Sequence, residues 1–284
     1  PYIRLNGGEA PAFDAQGREI CINGLKHGER YAVTLRDGLP SAVGEVLEAP
    51  VDISVYVRDR APFARFTGEA FVLPAKGRQA IPVVTVNAPE VELQLYRIGE
   101  RALAQLTEDG KFLQNLSGYQ ADEIKDRQGN LVWSGAMETP GDLNQEVTTA
   151  LPLDTVLPDR KPGVYALVAR AKGDTSEDWN SRATQWFTVS DIGLSAQSGL
   201  DGLTVFARSL DTATPLAGAK VRLIARNNGV LGEDVSDADG VARFDAGLIR
   251  GTGGLSPSVL VAEETGAGFV FLDDQFVFGD PADR

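Results

Sequence analysis

Short runs of alternating or β-branched residues recur between turn signals along almost the whole chain. YAVTLRDG (31–38), VDISVYVRD (51–59), AIPVVTV (80–86), VELQLYRI (91–98) and VYALVARA (164–171) are the earlier ones. QWFTVS (185–190), LTVFARS (203–209), AKVRLIAR (219–226), SVLVAEE (258–264) and FVFLDD (269–274) continue the series. In VELQLYRI the pattern predicts Val91, Leu93, Leu95 and Ile98 inward, with Glu92, Gln94 and Arg97 in water. Period-two patterning broken every ~8–12 residues by Gly, Pro and Asn turns predicts tandem Ig-like β-sandwiches. One segment departs from it. ERALAQLTEDGKFLQNLSGYQ (100–120) spaces Leu103, Leu106, Phe112, Leu113 and Leu116 at roughly helical intervals, and Gly110 divides it into a short helix and a second turn. The expected fold class is all-β with a helical insertion near 100–120.

Punctuation sets the boundaries. VRDRAPF (57–63) reads as a linker, because the strand run stops at charges and Pro62 opens a new apolar segment. In WFTVSDIGLSAQSG (186–199) one strand ends and another begins with only Ser190 and Asp191 between them. Three consecutive β-domains follow: 1–60, 61–190 carrying the helical insertion, and 191–284. The first is small beside the ~100 residues of an ordinary sandwich, so it reads as small or truncated.

Charge and cysteine usage narrow the function classes. With 27 basic and 40 acidic residues the net charge is −13, spread without long like-charge blocks. Such a surface repels phosphate backbones, which argues against nucleic acid as a partner. No apolar run approaches the ~18 residues of a membrane-spanning helix. Cys21 is the single cysteine, so no internal disulfide forms and the redox compartment stays unread. The PYIRL start and the polar GDPADR end suggest an excised piece of a larger protein.

Candidate chemistry is sparse. SDADGVARF (236–244) places Asp237, Asp239 and Gly240 as a calcium loop would, but Val241, Ala242, Arg243 and Phe244 then alternate as a strand and offer no later ligands. A tight turn is the expectation. Cys21, between Ile20 and Ile22, is expected to sit in a strand as a buried apolar residue, and His27 lies in a turn-like KHGE. No third group orients them as a nucleophile–base pair. Glu263 with Glu264, Asp273 with Asp274, and the TSEDW stretch at Trp179 read as solvated acidic surface. Asn115-Leu116-Ser117 matches a glycosylation triplet, and Trp133, Trp179 and Trp186 read as core more readily than as a sugar platform. Neither a G-x-S-x-G elbow nor a P-loop nor a dinucleotide fingerprint is present. No catalytic, cofactor-binding or metal-ligating residue is assigned, no cofactor is expected, and the chain is read as not an enzyme.

The order LTVFARSL, TPLAGAKVRLIARNN, SDADGVARF within 190–247 resembles a macroglobulin domain of the bacterial alpha-2-macroglobulins. The stretches 66–105, NLVWSGAM (130–137), NQEVTTALPL (144–153) and PGVYALVARA (162–171) are similar to the preceding domain of that family. CINGLKHGERYAVTLRDGLPS (21–41) resembles the domain before it. The resemblance implies a periplasmic or cell-envelope parent, often lipid-anchored, whose bait segment is cut by a protease that is then trapped, in some members through a thioester. The thioester pattern Cys-x-Glu-Gln is not matched, since Cys21 is followed by Ile22, Asn23 and Gly24, and no long irregular bait segment is visible. The implied role is therefore structural scaffold, with proteases met by the full-length parent and with neighbouring macroglobulin domains as partners. The alternative is an Ig-like binding module of an adhesin or polysaccharide-binding protein.

Overall fold

The computed structural model describes residues 2–8, 10–16, 19–41, 43–68, 70–73, 79–175, 177, 182–264 and 268–273. The chain opens with β1 (Ile3–Leu5), β2 (Phe13–Gln16), β3 (Glu19–Ile22), β4 (Arg30–Leu35) and β5 (Val51–Tyr56). β1, β4 and β5 form an antiparallel sheet centred on β4, and β2 and β3 make a separate hairpin.

Next come β6 (Phe63–Phe66), β7 (Ala70–Leu73), β8 (Ala80–Val86), β9 (Glu90–Ile98), α1 (Glu100–Glu108) and α2 (Gly118–Glu123). After a π-helical turn at Ile124–Gln128 follow β10 (Gly129–Glu138), β11 (Val147–Pro152), α3 (Leu153–Val156), β12 (Gly163–Ala171) and β13 (Ala183–Val189). A five-stranded sheet in the order β10-β9-β12-β13-β7 faces a three-stranded sheet β11-β8-β6. The strand pairs are antiparallel except β13 with β7. Between the two sheets lie Val91, Leu93 and Leu95 of β9, Tyr165 and Leu167 of β12, Phe187 of β13, and Ile81 and Val83 of β8. The Tyr165 and Phe187 rings stack there, 5.3 Å between centroids.

The last group is β14 (Ile192–Gly199), β15 (Gly202–Ser209), β16 (Lys220–Ala225), β17 (Val230–Val235), β18 (Val241–Asp245), β19 (Pro257–Glu264) and β20 (Gly268–Asp273). Sheet β14-β15-β18 packs on sheet β17-β16-β19-β20 through Leu203, Val205, Val221, Leu223, Phe244 and Leu260. The architecture is all-β, in separate paired sheets, with a helical insertion among the strands of the middle group.

Two expectations from the pattern need correction. Ile98 does not share a face with Leu95: the odd positions 91, 93 and 95 enter the sandwich core, whereas Tyr96 and Ile98 face the opposite side. Both sides of β9 are covered, so Gln94 is only partly exposed and accepts a hydrogen bond from the Tyr96 hydroxyl at 2.8 Å. The helical insertion also runs past residue 120, through α2 and the π-helical turn to Gln128, directly into β10. Gly110 does break it, at φ +63°. The second helix starts where Ser117 and Gln120 form a reciprocal capping box, the Ser117 side chain taking the Gln120 N–H and the Gln120 side chain the Ser117 N–H. Lys111 then joins the ends of the two helices, pairing with Asp109 and, at 3.0 Å, with Glu123, which raises its ammonium pKa.

Candidate functional site: the interfaces between sheets

The helical insertion forms a shared layer. On the outer face of the five-stranded sheet, Tyr96, Ile98, Val164, Ala166, Val168 and Trp186 pack under Leu103, Leu106, Leu116 and Ile124. The same cluster contains Ile224 of β16 and Val259 and Val261 of β19, which belong to the following sandwich. Strand alternation explains how one sheet serves two cores. Val221 and Leu223 point into their own sandwich, while Arg222 and Ile224 point at the helices; Leu260 and Ala262 point in, while Val259 and Val261 point out. The insertion is stitched to β13 and the residue before it: the Arg182 backbone N–H donates to Leu116 O at 2.7 Å, and the Trp186 indole Nε1 donates to Gln114 O at 2.8 Å.

Charge fixes the register of this interface. Arg222 lies 2.7 Å from Glu100, in the first turn of α1, and 2.7 Å from Glu263 on β19. Its side chain is only 17% exposed, whereas Glu100 and Glu263 keep 32% and 46%. Exposed ion pairs contribute about 0–1 kcal/mol each. Full burial of each aliphatic side chain such as Ile224, Val259 or Val261 stabilises by about 1.5–3 kcal/mol. Apolar contact therefore holds the two sandwiches together, and Arg222 orients them.

The junction between the first sheets and the middle group is built differently. Asn87 and Asn144 both sit at positive φ, 50° and 65°, which Asn tolerates better than most residues. Each reaches the linker: Asn87 Nδ2 donates to Arg60 O at 2.7 Å, Arg60 N–H donates to Asn144 Oδ1 at 2.8 Å, and Asn144 Nδ2 donates to Asp59 Oδ1 at 2.8 Å. The first unit meets the same segment, since Gly28 N–H donates to Val57 O and His27 Nδ1 lies 2.8 Å from Arg58 O. A Cβ on Gly28, at φ +79°, would fall 2.7 Å from Asp59 Oδ1. Hydrogen bonds from Asn144 and Tyr56, with the nearby His27, hold the Asp59 carboxyl below its ordinary pKa. Arg60 and Arg65 do the same for Glu146 at 3.2 and 3.0 Å. This junction is polar and water-accessible, whereas the other is built on an apolar layer.

The residues singled out by sequence fall outside both interfaces or serve them structurally. Asp237 Oδ1 accepts the N–H of Asp239 at 2.9 Å and of Val241 at 3.0 Å, and Oδ2 pairs with Arg243. Gly240 has φ +75°, and a Cβ there would collide with Ala207 O, so SDADG is a turn closed on its own backbone. Among the described residues no three His, Cys, Asp or Glu cluster as a metal site. Cys21 lies in β3 but is exposed, against the expected burial, because nothing described covers the β2–β3 hairpin on its side. His27 is engaged at Arg58 O.

Trp186 is core on the helical side and Trp133 packs on the sandwich side, so these two do not share a platform; Trp179 lies outside the described residues. In the glycosylation triplet, Asn115 Oδ1 accepts Thr184 N–H and Ser117 caps α2. Glu263 belongs to the Arg222 pair; Asp274 and the side chains of Glu264 and Asp273 lie outside the described residues, as does most of TSEDW. Sequence reading missed Arg222, Glu100, Asn87 and Asn144. The only signal for Arg222 was a cation in the middle of a β-branched strand.

These features define a class: tandem β-sandwiches of which two share one apolar layer. The family model "Bacterial alpha-2 macroglobulin MG2 domain" matches residues 65–187, and "Bacterial alpha-2-macroglobulin MG3 domain" matches 189–276. The chain belongs to the bacterial alpha-2-macroglobulin family. The alpha-2-macroglobulin of Xylella fastidiosa is 28% identical over 253 residues, which cover 87% of this chain and 15% of that protein. A Salmonella alpha-2-macroglobulin crystal structure has the same fold over 100% of this chain and 17% of its own, with a TM-score of 0.71 at 21% identity. The trypsin-activated alpha-2-macroglobulin from Escherichia coli matches 78% of this chain and 14% of its own, with a TM-score of 0.59 at 25% identity.

Proposed function

We propose that this chain is a stiff framework segment of a protease-trapping alpha-2-macroglobulin, with no catalytic role of its own. The observation that carries the reading is the apolar layer of α1 and α2 shared by two sandwiches and oriented by Arg222. A trap has to hold its shape around a captured enzyme, and a shared core resists bending where a bare linker does not. Support for the trapping context comes from the relative from Escherichia coli, whose structure is that of a trypsin-activated form.

In this reading residues 1–60, 61–190 and 191–284 are successive macroglobulin domains. The parent works in the periplasm or cell envelope, with a lipid anchor as one form of attachment. Its partners are proteases, met through other parts of the parent, and adjoining macroglobulin domains. The test uses the full-length parent incubated with trypsin and assays trypsin on a large protein and on a small peptide. Loss of activity on the large substrate alone is the expected result. Equal activity on both, with no discrete cleavage of the parent, rejects the proposal.

A further inference from the structure

The linker between the first sheets and the middle group, residues 57–62, carries no regular secondary structure and holds two arginines, Arg58 and Arg60. Exposed irregular segments are preferred sites of proteolytic nicking. Here each arginine carbonyl is already engaged, and from opposite sides. His27 Nδ1, in the first unit, lies 2.8 Å from Arg58 O. Asn87 Nδ2, in the middle group, donates to Arg60 O at 2.7 Å, while Asn144 Oδ1 takes the Arg60 N–H at 2.8 Å. Both main-chain groups of Arg60 are thus bonded by side chains, as a neighbouring strand would bond them. The two asparagines also fix each other: Asn87 Nδ2 donates to Asn144 Oδ1 at 3.0 Å, and the Asn144 N–H donates to Asn87 Oδ1 at 2.6 Å. The Arg60 guanidinium is held as well, on Glu146 at 3.2 Å and over the Phe63 ring at 5.3 Å. Ala61, the next residue, is exposed.

We propose that the Arg60–Ala61 bond is a gated cleavage site for a serine protease with an acidic specificity pocket, closed by Asn87 and Asn144 and opened when the linker lifts off them. Such an enzyme needs the arginine side chain in its pocket and the arginine carbonyl oxygen in its oxyanion hole. In the closed linker the guanidinium sits on Glu146 and the carbonyl on Asn87, so neither is engaged until this clasp releases. Once it is open, the protease serine attacks the Arg60 carbonyl carbon and the C–N bond breaks. The Ala61 nitrogen takes the proton and leaves as an amine, and water then releases Arg60 as a carboxylate. The inference does not depend on protease trapping, since it concerns a cut in this chain by any enzyme of that specificity.

Limited digestion of the native 284-residue chain with trypsin tests it. Mass spectrometry follows the cuts after Arg60 and after Arg250, an exposed arginine outside the strands of the last group. Asn87→Asp removes the donor to Arg60 O and keeps the acceptor for the Asn144 N–H. Because cleavage follows the open fraction when opening is fast, this variant is expected to speed the cut after Arg60 at least ~10-fold. The cut after Arg250 is expected to stay unchanged. Asn87→Gly removes the whole side chain at a φ that glycine tolerates, and should do the same. A wild-type chain cut after Arg60 as fast as a synthetic peptide of residues 56–64 overturns the proposal, since nothing is then masked. An unchanged rate after Arg60 in both variants overturns it. A rise after Arg60 and Arg250 together overturns it too, because the variants then act through general unfolding.

Discussion

Arg222 on β16 and Glu100 at the start of α1 meet at 2.7 Å although they stand 122 positions apart, with a domain-sized stretch of chain between them. Glu100 sits in the first turn of its helix, where an anion is favoured by the helix dipole, so it is held in place for the guanidinium. Arg222→Met keeps the stem that packs on the helices but removes the charge. Because both carboxylates retain water, the expected loss is about 1–2 kcal/mol. Urea unfolding of the chain measures it, and an unchanged midpoint would make the pair incidental to stability.

Leu103 is fully buried in the layer shared by two sandwiches. Leu103→Ala is expected to cost about 2–5 kcal/mol. The middle and last sandwiches should lose stability together, seen as one shifted transition in far-ultraviolet dichroism and tryptophan fluorescence alike. Val261→Asp places a charge in the same layer and should separate them, read as a larger radius of gyration in small-angle scattering.

Acid should loosen the first junction before the second. Asp59 and Glu146 both have carboxyl pKa values below their ordinary range, through Asn144 and Tyr56 in one case and Arg60 and Arg65 in the other. A depressed folded pKa gives stability that is present above the ordinary carboxylate value of ~4 and lost as pH falls through the folded value. Pepsin digestion stepped down from pH 4 should open the 57–62 linker first. The junction lined by Val259 and Val261 should stay intact over the same range.

Gly240→Ala is expected to cost about 1–3 kcal/mol, because φ +75° strains any side chain and Ala207 O blocks the Cβ. Asp237→Ala should lower the Tm through loss of its two backbone hydrogen bonds. Calcium should leave the Tm of all three proteins unchanged. A calcium-dependent rise that Asp239→Ala abolishes would overturn the turn assignment.

Strand positions were legible in the sequence because β-branched runs and Gly, Pro or Asn turns are local signals. The helix start at Ser117 was legible in principle too, since S-x-x-Q is a local capping pattern. What lay on the far side of each sheet was harder to read. VYALVARA is nearly continuous in apolar residues rather than alternating, which is the mark of a strand covered on both faces, and β12 is buried on both. Which elements supplied the cover was beyond local pattern: on the outer face it is the helical insertion together with Ile224, Val259 and Val261, far along the chain. The exposure of Cys21 was unreadable for the same reason: its neighbours Ile20 and Ile22 imply burial, but burial needs a covering partner.

The shared layer also has a consequence in time. During synthesis the helices at 100–128 leave the ribosome well before β19, at 257–264, exists to cover them. At about 5–20 residues per second their outward apolar side waits roughly 7–27 s. For that interval the nascent chain carries a sticky surface that the finished molecule hides, and a chaperone that binds nascent apolar segments should find its strongest site there.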